Sequence, residues 1–314
     1  MTHRRAWPAG PAGLAAAIAC AAIACGHDIS PLAGDQAGDE PNPPDEILFQ
    51  DGLAHYAQME WAAAIARFDE LLAAHPRSRR HDNAGYLTGK ARYELADLAG
   101  AVAAFTAMLE AHPTSSLADN ALYFRARARF KQAAFAAALA DFDAVVAGDP
   151  AGSYADNAAY YAGRSRYELG ELTAARDALA SFEATYPTST YLDNARYYLG
   201  RASFDDGRFA EALAPFARVL DAAGSPFADN AQYYIGRCHY ALGRLDEAAA
   251  DFEALARDHT GSQYVDNALY YQARIHVDRQ DCSAADRSVE QLEAEYPSSP
   301  EIARANAYLS QHGC

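Results

Sequence analysis

The sequence has no long hydrophobic run, because its one apolar stretch is short and lies near the N-terminus. Together with a mean hydropathy of −0.26, this excludes a protein that crosses a membrane several times. Basic residues are also scarce: 26 Lys and Arg against 42 Asp and Glu give a net charge of −16. This acidic balance argues against nucleic-acid binding, which needs clustered positive charge. Five cysteines in 314 residues are too few for a disulfide scaffold.

The sequence also lacks the motifs of common enzyme sites. It has no Gly-rich phosphate-binding loop, no Gly-x-Ser-x-Gly and no clustered metal ligands. We therefore expect a non-enzyme that holds no cofactor and no metal. Apolar residues make up 51% of the chain and aromatic residues 11%, which excludes collagen-like and disordered classes. Frequent Ala with modest Gly and Pro favours helix.

The N-terminus is typical of an export signal. Arg4 and Arg5 precede an apolar segment from Leu14 to Ala24, which is too short to span a bilayer. The segment ends in Ala-Ile-Ala-Cys-Gly, which resembles a bacterial lipobox with Ala22 where Leu is usual. This resemblance implies a signal peptide over residues 1–24 and lipidation of Cys25.

Alternatives to this lipoprotein interpretation are lipidation at Cys20, an ordinary secreted protein or an N-terminal membrane anchor. The residue after Cys25 is Gly rather than Asp, so the resemblance implies an outer-membrane lipoprotein facing the periplasm. Residues 25–44 form a Gly-, Pro- and Asp-rich segment, which predicts a flexible tether. Cleavage after residue 24 removes two Arg and no acid, so the mature charge becomes −18.

A repeat organises the sequence from residue 45 onward. The string Asp-Asn-Ala-x-Tyr recurs at intervals of 37, 37, 37, 36 and 37 residues, starting at Asp82, Asp119, Asp156, Asp193, Asp229 and Asp266. Extrapolation by one interval toward the N-terminus reaches Asp45. We therefore expect seven repeats over residues 45–298, each numbered from its Asp as position 1.

The pattern within each repeat predicts a helical hairpin. Positions 8 and 20 are always Gly or Ala, and position 24 is large and apolar, so two helices can pack closely. Gly at position 15 (Gly170, Gly207 and Gly243) is expected to end the first helix, and Pro at position 32 the second. A Ser four residues before the Asp of the following repeat is a candidate N-cap: Ser78, Ser115, Ser189, Ser225, Ser262 and Ser299.

This pattern resembles the tetratricopeptide repeat (TPR). The 37-residue period and the Tyr-rich consensus are similar to a bacterial envelope subgroup that includes the Tol-Pal-associated cell-division coordinator and the lipoprotein of the outer-membrane β-barrel assembly machine. The resemblance implies an all-α solenoid, a right-handed superhelix of seven hairpins. Residues 299–314 are then expected to form a capping helix over the last hairpin.

In TPR folds the first helices line a concave face through positions 2, 5, 9 and 12, which share one helical stripe. Three ladders of side chains occupy positions 2, 5 and 9, and we take them as a candidate partner-binding groove: Asn120, Asn157, Asn194 and Asn230; Tyr123, Tyr160, Tyr197 and Tyr233; Arg127, Arg164, Arg201, Arg237 and Arg274. Two interpretations stay open. The ladders either bind an extended peptide or acidic glycan, or only join neighbouring repeats.

The remaining candidate residues lie at single positions. Cys282 and Cys314 both fall in the C-terminal region, so a disulfide in an oxidising compartment competes with two free thiols. Cys238 replaces a small residue and is expected to be buried. His75, His112 and His259 occur once per repeat at position 31, too far apart to share a metal.

We expect a non-catalytic scaffold that binds protein partners in outer-membrane assembly or cell-division machinery of the Tol-Pal type. The alternative is a lipoprotein of exopolysaccharide export that binds glycans. A helical-repeat RNA reader is disfavoured by the signal segment and the acidic charge.

Overall fold

The computed structural model describes residues 43–314, so the predicted signal peptide, Cys20, Cys25 and nearly all of the tether lie outside the described residues. The described part forms fifteen helices and no strands. The helices are α1 (Pro44–Ala57), α2 (Trp61–Ala74), α3 (His81–Glu94), α4 (Leu98–Ala111), α5 (Ala118–Lys131), α6 (Phe135–Gly148), α7 (Ala155–Glu168), α8 (Leu172–Thr185), α9 (Leu192–Asp205), α10 (Phe209–Asp221), α11 (Ala228–Ala241), α12 (Leu245–Asp258), α13 (Val265–Asp278), α14 (Cys282–Glu295) and α15 (Glu301–His312). None of these helices is long and apolar enough to cross a bilayer.

The helices pair as consecutive hairpins, which confirms the predicted all-α repeat fold. Odd-numbered helices up to α13 are the first helices of seven repeats, and even-numbered helices are the second helices. The described residues up to Tyr154, with α1 to α6, form one compact unit, and Ala155–Cys314, with α7 to α15, form another. We call them the N-terminal and C-terminal units. The right-handed superhelix stays a prediction.

Small residues at position 8 explain how closely the two helices of a hairpin approach. A Cβ atom placed on Gly200 would lie 2.6 Å from Cε1 of Phe216, the large residue at position 24 of the same repeat. Gly89 has the same relation to Phe105. Ala212, at position 20, and Phe216 are fully buried. The small residues at positions 8 and 20 therefore pack against the large residue at position 24, as predicted, and form the core of each hairpin.

The turn between the two helices depends on a left-handed residue at position 15. Gly170, Gly207 and Gly243 have φ angles of 77°, 73° and 72°, as expected for glycines that end a helix. The four repeats without this glycine keep the same backbone, with positive φ at Met59, Ala96, Ala133 and Gln280. The turn geometry is therefore imposed by the hairpin even where an ordinary side chain makes it costly.

The serines predicted as N-caps have a different role. Helix α3 begins at His81 and its N-cap residue is Arg80, whose side chain makes no capping hydrogen bond. The hydroxyl of Ser78 instead accepts from the backbone N–H of Arg80 and donates to the carboxylate of Asp45, 2.7 Å away. The N-cap prediction was wrong because the hydroxyl stabilises the turn before the helix.

The Asp–Ser hydrogen bond recurs through the chain. Position 1 accepts from the Ser at position 34 in five repeats, at O–O distances of 2.6 to 2.8 Å: Asp45–Ser78, Asp82–Ser115, Asp156–Ser189, Asp229–Ser262 and Asp266–Ser299. Each bond joins the start of one first helix to the turn that leads into the next. These carboxylates therefore connect neighbouring hairpins through hydroxyls.

Helix α15 covers the last hairpin by packing on α13 and α14. Its N-cap residue is Pro300, and it ends at Gly313 in a left-handed conformation. A disulfide joins Cys314, directly after this turn, to Cys282 at the start of α14, with Cα atoms 5.0 Å apart. The last helix is thus held both by packing and by a covalent bond.

Candidate functional site

The tyrosines at position 5 lie in the core, although the first helices place them on the predicted stripe. Their exposed fractions range from 1% to 8%. Each ring stacks on the aromatic residue two positions before the next Asp, with centroid distances of 4.4 to 4.9 Å in the pairs Tyr123–Tyr154, Tyr160–Tyr191, Tyr197–Phe227 and Tyr233–Tyr264. Buried, stacked rings cannot present a face to a ligand, so these contacts favour a structural role for this ladder.

The basic side chains at position 9 lie against aromatic rings of neighbouring repeats. The guanidinium carbon of Arg164 is 4.7 Å from the ring centroid of Tyr198, and that of Arg201 is 4.6 Å from Tyr234. Arg274 is 4.4 Å from Tyr308 of the capping helix. These cation–π contacts join each repeat to the following helix. In the N-terminal unit, Arg127 also contacts the ring of Tyr123 in its own repeat.

Arg201 uses its two terminal nitrogens within the protein, while its Nε is buried without a hydrogen-bond partner. It donates to the hydroxyls of Tyr167 and Tyr197 at 2.7 and 3.2 Å, and it lies 3.5 Å from the carboxylate of Asp205. Burial alone would lower the pKa of this guanidinium, but the phenol hydrogen bonds raise its pKa overall. The positive charge of Arg201 is therefore stabilised by partners within the protein itself.

Arg237 has no carboxylate partner among the described residues. Position 13, which carries Glu168 and Asp205 in the two preceding repeats, is Ala241 here. The guanidinium of Arg237 lies 4.5 Å from the ring centroid of Phe204 and 5.3 Å from that of Tyr234, and its Nε is buried without a hydrogen-bond partner. A half-buried guanidinium without an anion is available to a carboxylate from outside.

Arg274 also lacks a carboxylate partner in the described part of the chain. Asp278, one turn further along α13, accepts hydrogen bonds from the hydroxyls of Tyr240 and Tyr308 at 2.5 and 2.7 Å. The Nε of Arg274 is buried and unpartnered, like those of Arg201 and Arg237. The C-terminal unit therefore carries two adjacent ladder arginines, Arg237 and Arg274, that contact aromatic side chains and have no carboxylate partner among the described residues.

The asparagines at position 2 are half-buried near the start of each first helix. Asn230 donates to the hydroxyl of Tyr197 at 3.4 Å, which joins two repeats. The side chains of Asn120 and Asn194 make no hydrogen bond to another described residue. The asparagines at position 2 therefore do not all join neighbouring repeats.

Sequence reasoning missed the aromatic residue at position 6, which supplies several of the rings contacted by the ladder arginines. The signal was present, because Tyr-Tyr or Tyr-Phe recurs at positions 5 and 6: Phe124, Tyr161, Tyr198, Tyr234 and Tyr271. It also missed a contact between Nδ1 of His81 and Nε2 of His112, 2.8 Å apart, because His81 does not follow the repeat. No group of three or more potential metal ligands occurs within residues 43–314.

The remaining cysteine, Cys238, is fully buried in the core of the C-terminal unit. Burial raises the pKa of its thiol to about 12, which keeps the thiol protonated and unreactive. This is the environment expected for a small core residue.

Comparison with known proteins agrees with this geometry. Residues 41–158 match the family YfiO, outer membrane lipoprotein, and residues 160–226 and 197–262 match a tetratricopeptide-repeat family. No curated protein matches the chain.

Solved structures share the fold at low sequence identity. A TPR repeat-containing protein from Cytophaga hutchinsonii is 18% identical, with a TM-score of 0.65, over 82% of this chain and 98% of that one. A tetratricopeptide repeat protein from Parabacteroides merdae is 15% identical, with a TM-score of 0.55, over 84% and 98%. YrrB, described as a TPR protein with an unusual peptide-binding site, is 19% identical, with a TM-score of 0.51, over 65% and 97%.

The hairpin repeats and their packing agree with the family matches, which cover residues 41–158 and 160–262. The chain is a tetratricopeptide-repeat protein that resembles the YfiO-type outer membrane lipoproteins over residues 41–158.

Proposed function

We propose that this protein is a non-catalytic scaffold of the bacterial envelope, lipidated at Cys25, exported to the periplasmic face of the outer membrane and binding protein partners there. The match to outer membrane lipoproteins over residues 41–158 supports the location, together with the lipobox-like sequence before Cys25. The processes it would serve are outer-membrane assembly or cell division of the Tol-Pal type.

The observation that carries partner binding is the pair Arg237 and Arg274. A partner segment with acidic side chains would supply the anions that these guanidinium groups lack inside the protein. Charge-assisted hydrogen bonds from arginine to carboxylate are about twice as strong as neutral ones, and exclusion of water by the surrounding rings would strengthen them further. Peptide binding by YrrB, a protein of similar fold, supports this type of ligand.

Protein partners are favoured over glycans by the burial of the position-5 tyrosines. Sugar binding in the predicted groove relied on these rings as stacking surfaces, and 1% to 8% exposure leaves no such surface. The groove would thus be lined by Asn and Arg side chains, which suit the backbone and carboxylates of an extended acidic peptide.

Crosslinking in intact envelopes tests the proposal. Wild type, Arg237→Gln and Arg257→Gln would be purified after crosslinking and their partners identified by mass spectrometry. Arg257 is a matched control, since it is an exposed arginine on the second helix α12, paired with Asp258. We expect a reproducible partner whose recovery falls about tenfold for Arg237→Gln, the loss of one charge-assisted bond, and is unchanged for Arg257→Gln.

Two outcomes would contradict the proposal. Absence of any reproducible partner for the wild type would remove the scaffold function. Equal recovery with Arg237→Gln, at unchanged circular dichroism, would assign this arginine to repeat packing alone.

A further inference from the structure

A cavity of about 400 Å³ lies in the N-terminal unit between α2, α3 and α4. It is separate from the arginine ladder of the C-terminal unit. Its walls are mostly apolar and built from small residues of α3 and α4, with Leu72 and Met108 as the larger side chains. A volume of this size is within the range of sites that hold small organic molecules.

The cavity contains one unused hydrogen-bonding group. Thr88 on α3 lines it and is only 2% exposed, yet its hydroxyl has no hydrogen-bond partner among the described residues. A threonine in a helix usually donates to the backbone carbonyl one turn earlier, and a buried unsatisfied hydroxyl is costly. An occupant of the cavity would satisfy it.

Two other repeats carry larger polar side chains in the corresponding region. In the third repeat, Arg125 at position 7 donates to both carboxylate oxygens of Asp141 at position 23, at 2.9 and 2.7 Å. In the sixth repeat, Asp251 at position 23 accepts from Gln232 at 3.2 Å. The second repeat has Thr88 and Ala104 at positions 7 and 23, which leaves the space open.

The polar side chains around the cavity are paired with each other. Arg92 lies 3.2 Å from the carboxylate of Asp69 and 3.1 Å from that of Asp97, so its charge is neutralised locally. His81 is held by His112 through its Nδ1. The cavity therefore offers apolar walls and one hydroxyl, without a free charge that would select an ion.

We propose that this cavity is a binding site for a small, uncharged amphipathic molecule, a ring or short chain carrying one hydroxyl or carbonyl oxygen. The apolar part would contact Leu72, Ala104 and Met108, and the oxygen would exchange a hydrogen bond with the hydroxyl of Thr88. The site is independent of partner binding by the arginines of the C-terminal unit.

Methyl NMR with p-cresol as the probe tests the proposal on the full mature chain. Met108 lines the cavity and is 3% exposed, while Met59 lies outside it and is 49% exposed, so Met59 is an internal control. We expect p-cresol to shift the Met108 methyl resonance, with saturation at about 1 mM or below, and to leave Met59 unchanged. No shift of Met108 up to about 10 mM, or equal shifts of both methyls, would overturn the proposal.

Two variants locate the site. Thr88→Val keeps the side-chain shape and removes the hydroxyl, so p-cresol should bind about tenfold more weakly while toluene binds as in the wild type. Ala104→Leu fills the space, so the Met108 shift should disappear for both probes. Unchanged p-cresol binding in either variant, with the fold intact by circular dichroism, would contradict the assignment.

Discussion

Four residues at position 15 adopt a backbone conformation that favours glycine. Ala133, with φ of 57°, is one of them. This conformation costs a residue with a side chain about 1–2 kcal/mol. Glycine avoids this cost, but its greater conformational freedom in the unfolded state offsets part of the resulting gain in stability. Ala133→Gly should therefore raise the free energy of unfolding by about 0.5–1 kcal/mol.

An exposed alanine inside the following helix provides the control for this prediction. Ala140 lies in the interior of α6, where glycine costs backbone entropy, so Ala140→Gly should lower the free energy of unfolding by about 0.5–1 kcal/mol. Urea denaturation of the two variants measures both changes. A loss of stability in Ala133→Gly equal to that in Ala140→Gly would show that position 15 carries no strain.

The pair His81 and His112 predicts a loss of stability in acid. Burial first, and then the neighbouring His112, lowers the pKa of His81 below 6.5, while Asp82 opposes this shift; Asp69 and Arg92 line the adjoining cavity. As the pH falls below 6.5, the unfolded chain therefore binds a proton at residue 81 that the folded protein resists. The free energy of unfolding should fall until the folded pKa is passed.

Denaturation at about pH 7.5 and about pH 5.5 measures this effect. The wild type should lose more stability between these values than His81→Gln does. His259→Gln serves as the control and should keep the wild-type pH dependence. Equal losses in the wild type and His81→Gln would contradict the assignment.

At the scale of helices, the last element is held by a disulfide. The Cys282–Cys314 bond closes a loop across 32 positions of sequence, which restricts the unfolded chain by about 3–4 kcal/mol in the loop-entropy model. Cys314→Ser should therefore speed amide hydrogen exchange in α15 while α9 is unaffected. Reduction of the wild type should reproduce the change, and reduction of the variant should add nothing. Unchanged exchange on reduction would mean that packing alone holds α15.

Much of the helix arrangement was predictable, because local chemistry repeats with the hairpin. The spacing of small residues at positions 8 and 20 predicts the hairpin, and Gly207 predicts the end of a first helix. Ser78 was misassigned because a hydroxyl before a helix can cap it or bind elsewhere, and its partner Asp45 is 33 residues away. Contacts between repeats depend on how far neighbouring helices are shifted along each other. The spacing of residues in the sequence does not give this shift.

The candidate site, too, was predictable from the sequence only in part. The periodicity correctly places Tyr197 and Arg201 on one stripe of a first helix, since they are one turn apart. Whether a side chain on that stripe is buried depends on residues far along the sequence: Phe227, in the turn before the next first helix, stacks on Tyr197. Arg237 has Ala241 where Arg201 has an acid, and it lies beside Phe204 where Arg201 has the hydroxyl of a tyrosine. Both changes are visible in the sequence but meaningful only once the contacts are known.

For the whole molecule, the central prediction concerns attachment to the membrane. Cys25→Ala should prevent incorporation of labelled fatty acid and release the protein from the membrane fraction, because several acyl chains at about 0.8 kcal/mol per CH2 provide the anchor. Cys20→Ala is the control and should be labelled and membrane-bound like the wild type. Labelling that depends on Cys20 instead would move the lipidation site, and a soluble wild type would remove the anchor.

The Asp–Ser hydrogen bond bears on how such a chain changes length in evolution. Both partners belong to the same 37-residue repeat, as in Asp156 and Ser189. Duplication or loss of one of the five repeats that contain this bond therefore adds or removes both partners together and leaves no carboxylate or hydroxyl without its partner. An in-frame rearrangement of one period thus yields a longer or shorter protein whose remaining junctions are already satisfied.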